Sequence, residues 1–178
     1  MILPRIMMLL LTLSALAGPL WAPTASAARA RIELAQWEQA QQYAQEYRVR
    51  LRADSVRLTD SLAFHIVRAA DAYGIEHRVA FQLVWVESRF YDRAKSPVGA
   101  IGLTQVMPRT GSRVCNLTVR ELYVPINNLD CGLRFYSQLL ARYERNHWFA
   151  LTAYYRGPLQ ADRIKAQGLG YPESILGT

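Results

Sequence analysis

From Val79 to Glu87 the chain reads VAFQLVWVE, nine residues of which only Gln82 and Glu87 are polar. The run belongs to a helix expected from about His77 to Ser88. Counting back from Glu87 by three, four and seven positions places Val84, Leu83 and Ala80 on the same face. The carboxylate therefore ends a stripe that should be buried. Burial disfavours the charged form, so a carboxyl there can keep its proton near neutral pH, as a general acid for glycosidic cleavage must. The structural alternative is an ion pair with Arg89 or Arg93.

Helical periodicity recurs along the chain. Trp37, Ala40, Tyr43, Ala44, Tyr47 and Leu51 repeat at three and four residues. Ser61 can cap a helix whose stripe of Leu62, Ile66, Val67, Ala70 and Tyr73 stops at Gly74. Leu133, Tyr136, Leu140 and Tyr143 form another stripe, and WFALTAYY a further one that ends at Gly157-Pro158. No alternating strand pattern of useful length, internal repeat or low-complexity segment is present, so the fold class is all-α. With 178 residues, 51% of them hydrophobic, the chain can bury one real core.

The first 27 residues read as a secretory signal peptide: Arg5, an apolar stretch from Ile6 to Ala17, and the small-residue site Ala25-Ser26-Ala27. The mature protein is expected to begin near Ala28, in the periplasm or cell envelope. The alternative of an uncleaved anchor is disfavoured because Gly18-Pro19 interrupts the apolar run short of a membrane span. No stable membrane anchor is expected after cleavage. In an oxidising compartment the two cysteines, Cys115 and Cys131, favour a disulfide over a metal site, the alternative being two buried thiols. Pro125 and Asn127-Asn128 lie between them, so that segment is expected to hold few regular hydrogen bonds without the bridge.

Removing Arg5 with the signal lowers the net charge from +7 to +6, which favours an anionic wall polymer or membrane surface as a partner. Nucleic acid is not expected as a partner outside the cell. The basic run from Arg48 to Arg57 reads as a solvated face. His65, His77 and His147 are scattered and form no ligand pattern, so no metal or cofactor is expected. Ser88 lies in no nucleophile elbow, and Gly99 and Gly102 do not form a phosphate-cradling loop.

The run from Glu87 to Gly111, ESRFYDRAKSPVGAIGLTQVMPRTG, resembles the Slt-type lytic transglycosylases, a lysozyme-like family related to goose-type lysozyme. Their pattern is Glu-Ser, an Ala-x-Ser, then Gly-Ala-x-Gly-Leu-x-Gln-x-Met-Pro. NLDCGLRFYSQLL resembles the family's Asn-Ile-x-x-Gly helix, and ALTAYYRGP its Ala-Leu-x-Ala-Tyr-Asn-x-Gly-Pro segment. IVRAADAYGIEHRVAFQLVWVES resembles the helices leading to the glutamate. The likeness spans roughly Leu62 to Pro158. The N-terminal helix and the tail lie outside it, so the expected organisation is a signal peptide over 1–27, an N-terminal helical extension over 28–60, a catalytic domain over 61–160 and a tail over 161–178.

The resemblance implies a lysozyme-like fold in which Glu87 is the sole catalytic carboxylate, acting on peptidoglycan glycan strands. It would protonate the oxygen between N-acetylmuramic acid and N-acetylglucosamine, then serve as base toward the muramoyl 6-hydroxyl and close a 1,6-anhydro ring. Gly99, Ala100 and Gly102 would turn the chain tightly under the sugar cleft. Gln105 would offer its amide to the sugar and Met107 an apolar wall. Tyr154 would aim its hydroxyl at Glu87, while Ser88 and Ser96 would support the site through hydrogen bonds. Asp92, past the helix end, reads as a turn residue and not as the second carboxylate of a two-carboxylate glycosidase. Two positions depart from the pattern: Thr104 stands where Met is usual, and Tyr155 where Asn is usual. The rival readings are a goose-type lysozyme that hydrolyses the bond, and a noncatalytic wall-binding scaffold of a secretion or conjugation machine.

Overall fold

The computed structural model describes residues 24–51 and 57–168. It contains α1 (Ala25–Leu51), α2 (Asp60–Ala72), α3 (His77–Ser88), α4 (Pro108–Cys115), α5 (Pro125–Arg142), α6 (His147–Arg156) and α7 (Pro158–Ala166), with a 3-10 turn at Glu121–Tyr123. Among the described residues there is no strand, only the isolated antiparallel bridges Lys95 to Ile101 and Ile101 to Val106. The all-α expectation holds.

The chain divides into two compact units, Met1–Ala35 and Gln36–Thr178. In the first, Thr24 starts α1 by accepting the Ala27 amide at 3.2 Å. The apolar stretch of the expected signal peptide lies outside the described residues, and the Ala25-Ser26-Ala27 motif occupies the first turn of α1. Among the described residues no helix is long and apolar enough to cross a membrane.

The second unit is built around α5, which packs against α2, α4, α6 and the 3-10 turn. Its buried residues Leu129, Leu133, Tyr136, Leu139 and Leu140 share one core with Ile66 and Val67 of α2, Phe81 and Val84 of α3, and Ala150 and Ala153 of α6. Leu133, Tyr136, Leu140, Ile66, Val67 and Val84 belong to the stripes that the periodicity predicts, and Leu129, Leu139 and Phe81 extend them. The portion of α1 within this unit is part of that core. Ala40, Ala44 and Tyr47 are buried, Tyr43 stacks on Phe81 with ring centroids 4.8 Å apart, and Tyr47 meets Phe90 edge-on at 5.6 Å. Full burial of a residue such as Phe81 contributes about 1.5–3 kcal/mol.

Two local expectations are corrected. The cap of α2 is Thr59 and not Ser61: the Thr59 hydroxyl accepts the Leu62 amide at 3.1 Å, and Asp60 brings its negative charge to the first turn. The segment between the cysteines is also more regular than its Pro and Asn content suggests. Pro125 occupies the first turn of α5, where its missing N–H leaves no helical bond unmade, and Asn127 and Asn128 continue the helix. Cys115 ends α4 and is bonded to Cys131 of α5, with Cα atoms 5.6 Å apart. The bridge lies in a small second core with Ile101, Val106 and Leu122.

Candidate active site

The helix that carries Glu87 ends in an unusual way. Arg89 and Phe90 are both left-handed, at φ 55° and 61°. For side chains other than glycine this costs roughly 1–2 kcal/mol per residue. Phe90 is fully buried against Tyr47, Phe81 and Trp85, which offsets the strain. The Arg89 guanidinium lies over the Trp85 ring, 4.2 Å from its centroid. It is thus turned toward the indole.

Glu87 is half-buried and, among the described residues, forms neither a hydrogen bond nor an ion pair. The alternative of a structural pair with Arg89 or Arg93 is therefore not realised. Burial alone raises its carboxyl from an ordinary 4.5 to about 7. Ser88, next in the chain, donates its hydroxyl to the Val84 carbonyl at 3.1 Å and supports the helix end. Asp92 faces a different groove, lined by Thr59, Ser61 and His65 and by Pro125 and Ile126 at the start of α5.

The loop from Lys95 to Val106 is folded on itself. Ser96 and Ala100 exchange two bonds, the Ser96 amide donating to the Ala100 carbonyl and the Ala100 amide to the Ser96 hydroxyl, both at 2.9 Å. Gly99 lies at this turn, and Ala100 is buried behind it. Gly102 has φ 76°, and a Cβ there would come within 2.7 Å of Asn128 Cγ. Only glycine fits both the conformation and the space. Gln105 donates its Nε2 to the Gly102 carbonyl at 2.9 Å, so part of the amide expected to bind sugar is used within the turn. Met107 leads into α4 with 40% of its surface exposed.

Tyr154 of α6 is packed between Phe135 and Tyr136, at 5.5 and 6.1 Å between ring centroids. Contrary to the expectation from the sequence, its hydroxyl does not donate to Glu87. It donates to the Thr104 carbonyl at 2.6 Å, which satisfies the phenol proton. Burial first, and then the charge of Glu87, push the phenol above its usual range. The two side chains therefore share one electrostatic neighbourhood. Tyr155 is 68% exposed.

One residue at the base of this arrangement, the first of the NLDCG run, was given no role in the site by the sequence reading. Asn128 of α5 is fully buried and satisfies every part of its amide: Nδ2 donates to the carbonyls of Ile101 at 2.8 Å and Leu122 at 2.9 Å, and Oδ1 accepts from the Thr104 amide at 2.9 Å and hydroxyl at 2.8 Å. It begins the motif that ends at Gly132, where an added Cβ would meet the Thr104 side chain, and the burial of both residues is the role that the motif left unstated.

Residues 64–171 match the family model for the transglycosylase SLT domain. The chain belongs to this family. Among the SLT proteins it resembles is membrane-bound lytic murein transglycosylase C of Haemophilus ducreyi, 35% identical over 106 residues that cover 53% of this chain and 28% of that one. The transglycosylase of Enterobacteria phage PRD1 is 33% identical over 108 residues, covering 61% and 39%. The chain thus spans well under half the length of these curated relatives. Among solved structures, the SLT fold is shared with the lytic transglycosylase Slt of Pseudomonas aeruginosa, determined as an inactive Glu-to-Gln mutant, with a TM-score of 0.52, 32% identity and coverage of 55% of this chain and 17% of that one.

Proposed function

We propose that this SLT protein is a peptidoglycan lytic transglycosylase whose catalytic residue is Glu87. The observation that carries the reading is the state of that carboxyl: half-buried, unpaired among the described residues, and raised to about 7 by burial. A glutamate with that proton affinity is protonated in a large share of molecules at neutral pH and can donate to a leaving oxygen. The relatives' names describe lytic murein transglycosylases, and in the Pseudomonas relative a Glu-to-Gln substitution accompanies loss of activity.

In this reading Glu87 donates its proton to the β-1,4 oxygen between N-acetylmuramic acid and N-acetylglucosamine as that bond breaks. The resulting carboxylate then takes the proton of the muramoyl 6-hydroxyl, whose oxygen attacks the anomeric carbon and closes the 1,6-anhydro ring. The proton returns to Glu87, so the cycle balances with one carboxyl and no water consumed. Met107 would flank the sugar, while Ser96, Gly99, Ala100, Gly102 and Gln105 would hold the loop beneath it. Cleavage of residues 1–27 would release the enzyme to the wall in the cell envelope.

Digestion of purified peptidoglycan followed by mass spectrometry tests this. Muropeptides ending in 1,6-anhydro-muramic acid are expected. Reducing ends alone would assign a hydrolase, and binding without release would assign a scaffold.

A further inference from the structure

Thr104 stands between Tyr154 and Asn128. It is fully buried, its carbonyl accepts the Tyr154 hydroxyl at 2.6 Å, and its own hydroxyl lies 2.9 Å from the Asn128 carbonyl and 2.8 Å from Asn128 Oδ1. The Thr104 amide adds a third bond to Asn128, and α5 comes close enough there that only a glycine, Gly132, fits behind the threonine side chain. The peptide that receives the Tyr154 proton is therefore fixed from two sides.

We propose that Thr104 is a positioning residue: its clamp on Asn128 fixes the carbonyl that takes the Tyr154 proton, and so withholds that proton from Glu87. The inference rests on Glu87 being the proton donor of the proposed reaction. A hydroxyl donated to a carboxylate stabilises its charged form and makes it a weaker acid catalyst. A hydroxyl committed elsewhere does not. Tyr154 is near enough to feel the Glu87 charge, so the direction of its one proton matters. The charged residues that follow Glu87 in the chain are Arg89, Asp92, Arg93 and Lys95. None of them pairs with it among the described residues. Burial sets the acidity of the carboxyl, and Tyr154 is the neighbouring hydroxyl whose orientation leaves that effect unopposed.

The test is a carbon-13 NMR titration of the Glu87 side-chain carboxyl in the full protein, with the resonance assigned by its loss in Glu87→Gln. This readout needs no turnover, so it separates failure of this inference from failure of the activity. Tyr154→Phe should leave the Glu87 midpoint within a few tenths of a pH unit of wild type. If Tyr154 donates to Glu87, the midpoint must instead rise by about one unit, which overturns the proposal. Thr104→Val keeps the branched shape but removes the hydroxyl, and should lower the midpoint by about one unit as the phenol turns toward the carboxylate. The double variant should return to the Tyr154→Phe value. A Thr104→Val midpoint equal to wild type removes Thr104 from the role, and if that variant does not fold, the Tyr154→Phe titration still decides where the proton points.

Discussion

The α-carbon of Gly132 sits against the side chain of Thr104 so closely that a methyl group added to it would come within 2.9 Å of Thr104 Cγ2 and overlap Cβ and Oγ1. In an exposed helix, replacing Gly by Ala stabilises by about 1 kcal/mol. Here the overlap wins. The threonine is held by three bonds to Asn128 and is buried on every side, so it has nowhere to move.

Gly132→Ala should therefore destabilise the protein by about 1–3 kcal/mol, the usual range for an overpacked core. Chemical denaturation of both proteins measures this, and an equal or higher midpoint for the variant would show that the loop can give way.

Glu87→Gln should lower release of anhydro-muropeptides by at least about 10²- to 10⁴-fold, the contribution of general acid-base catalysis. Glutamine is nearly isosteric but has no acid proton to give. Quantitative product analysis on purified peptidoglycan is the measurement, and retained turnover would exclude Glu87 as the acid.

Stability should respond to the same substitution in a direction that depends on pH. An ordinary glutamate carboxyl loses its proton near 4.5, whereas Glu87 holds its proton to about 7. Below about 4.5 the group is neutral in both folded and unfolded chains and carries no penalty. As pH rises from there toward 7 the unfolded chain ionises first, and the folded state loses stability relative to it. The loss is complete above 7 and amounts to about 2 kcal/mol after allowance for partial exposure. Glu87→Gln removes it, so the variant should melt about 4–8 °C higher than wild type at pH 8 and equally at pH 4. A glutamate held by an ion pair would show the opposite sign at pH 8, and differential scanning calorimetry distinguishes the two.

Turnover should fall as pH rises through about 7, because the first step needs the protonated carboxyl. Initial rates from pH 5 to 9 should give one descending limb. A limb centred near 4.5 would mean that burial does not raise Glu87 in solution.

Reduction of the Cys115–Cys131 bond, or replacement of both cysteines by alanine, should cost about 3 kcal/mol for a loop of this length. Intact mass with thiol labelling reports the bond, and denaturant titration with and without reductant its effect. Two labelled thiols in the native protein would exclude it.

The helices and the position of Glu87 were legible because both depend on side-chain pattern: Val84, Leu83 and Ala80 name the buried face on which the carboxylate sits, and α3 runs over the residues the pattern predicts. The partner of Tyr154 was not, because a backbone carbonyl has no letter in the sequence. Nothing in Thr104 as a residue type says that its peptide oxygen is an acceptor. The motif contained Asn128, but its role was hidden for a related reason. Asparagine ordinarily marks a turn, and only the convergence of Ile101, Leu122 and Thr104 on one amide turns it into a core residue. Thr59 displaced Ser61 as a cap by two residues, a margin that helix ends commonly show.

The aromatic stack beneath the turn after Glu87 bears on how small an active fragment can be. Phe90 closes that turn in a conformation it would not choose alone, and one of the rings that hold it down, Tyr47, comes from α1. A fragment beginning at Ser61 would contain all the motif residues and still lack this ring, together with Ala40 and Ala44 behind it. The shortest chain able to aim the carboxylate therefore begins well upstream of the motifs, and homologues trimmed to the motif region would need some other hydrophobic ring in its place.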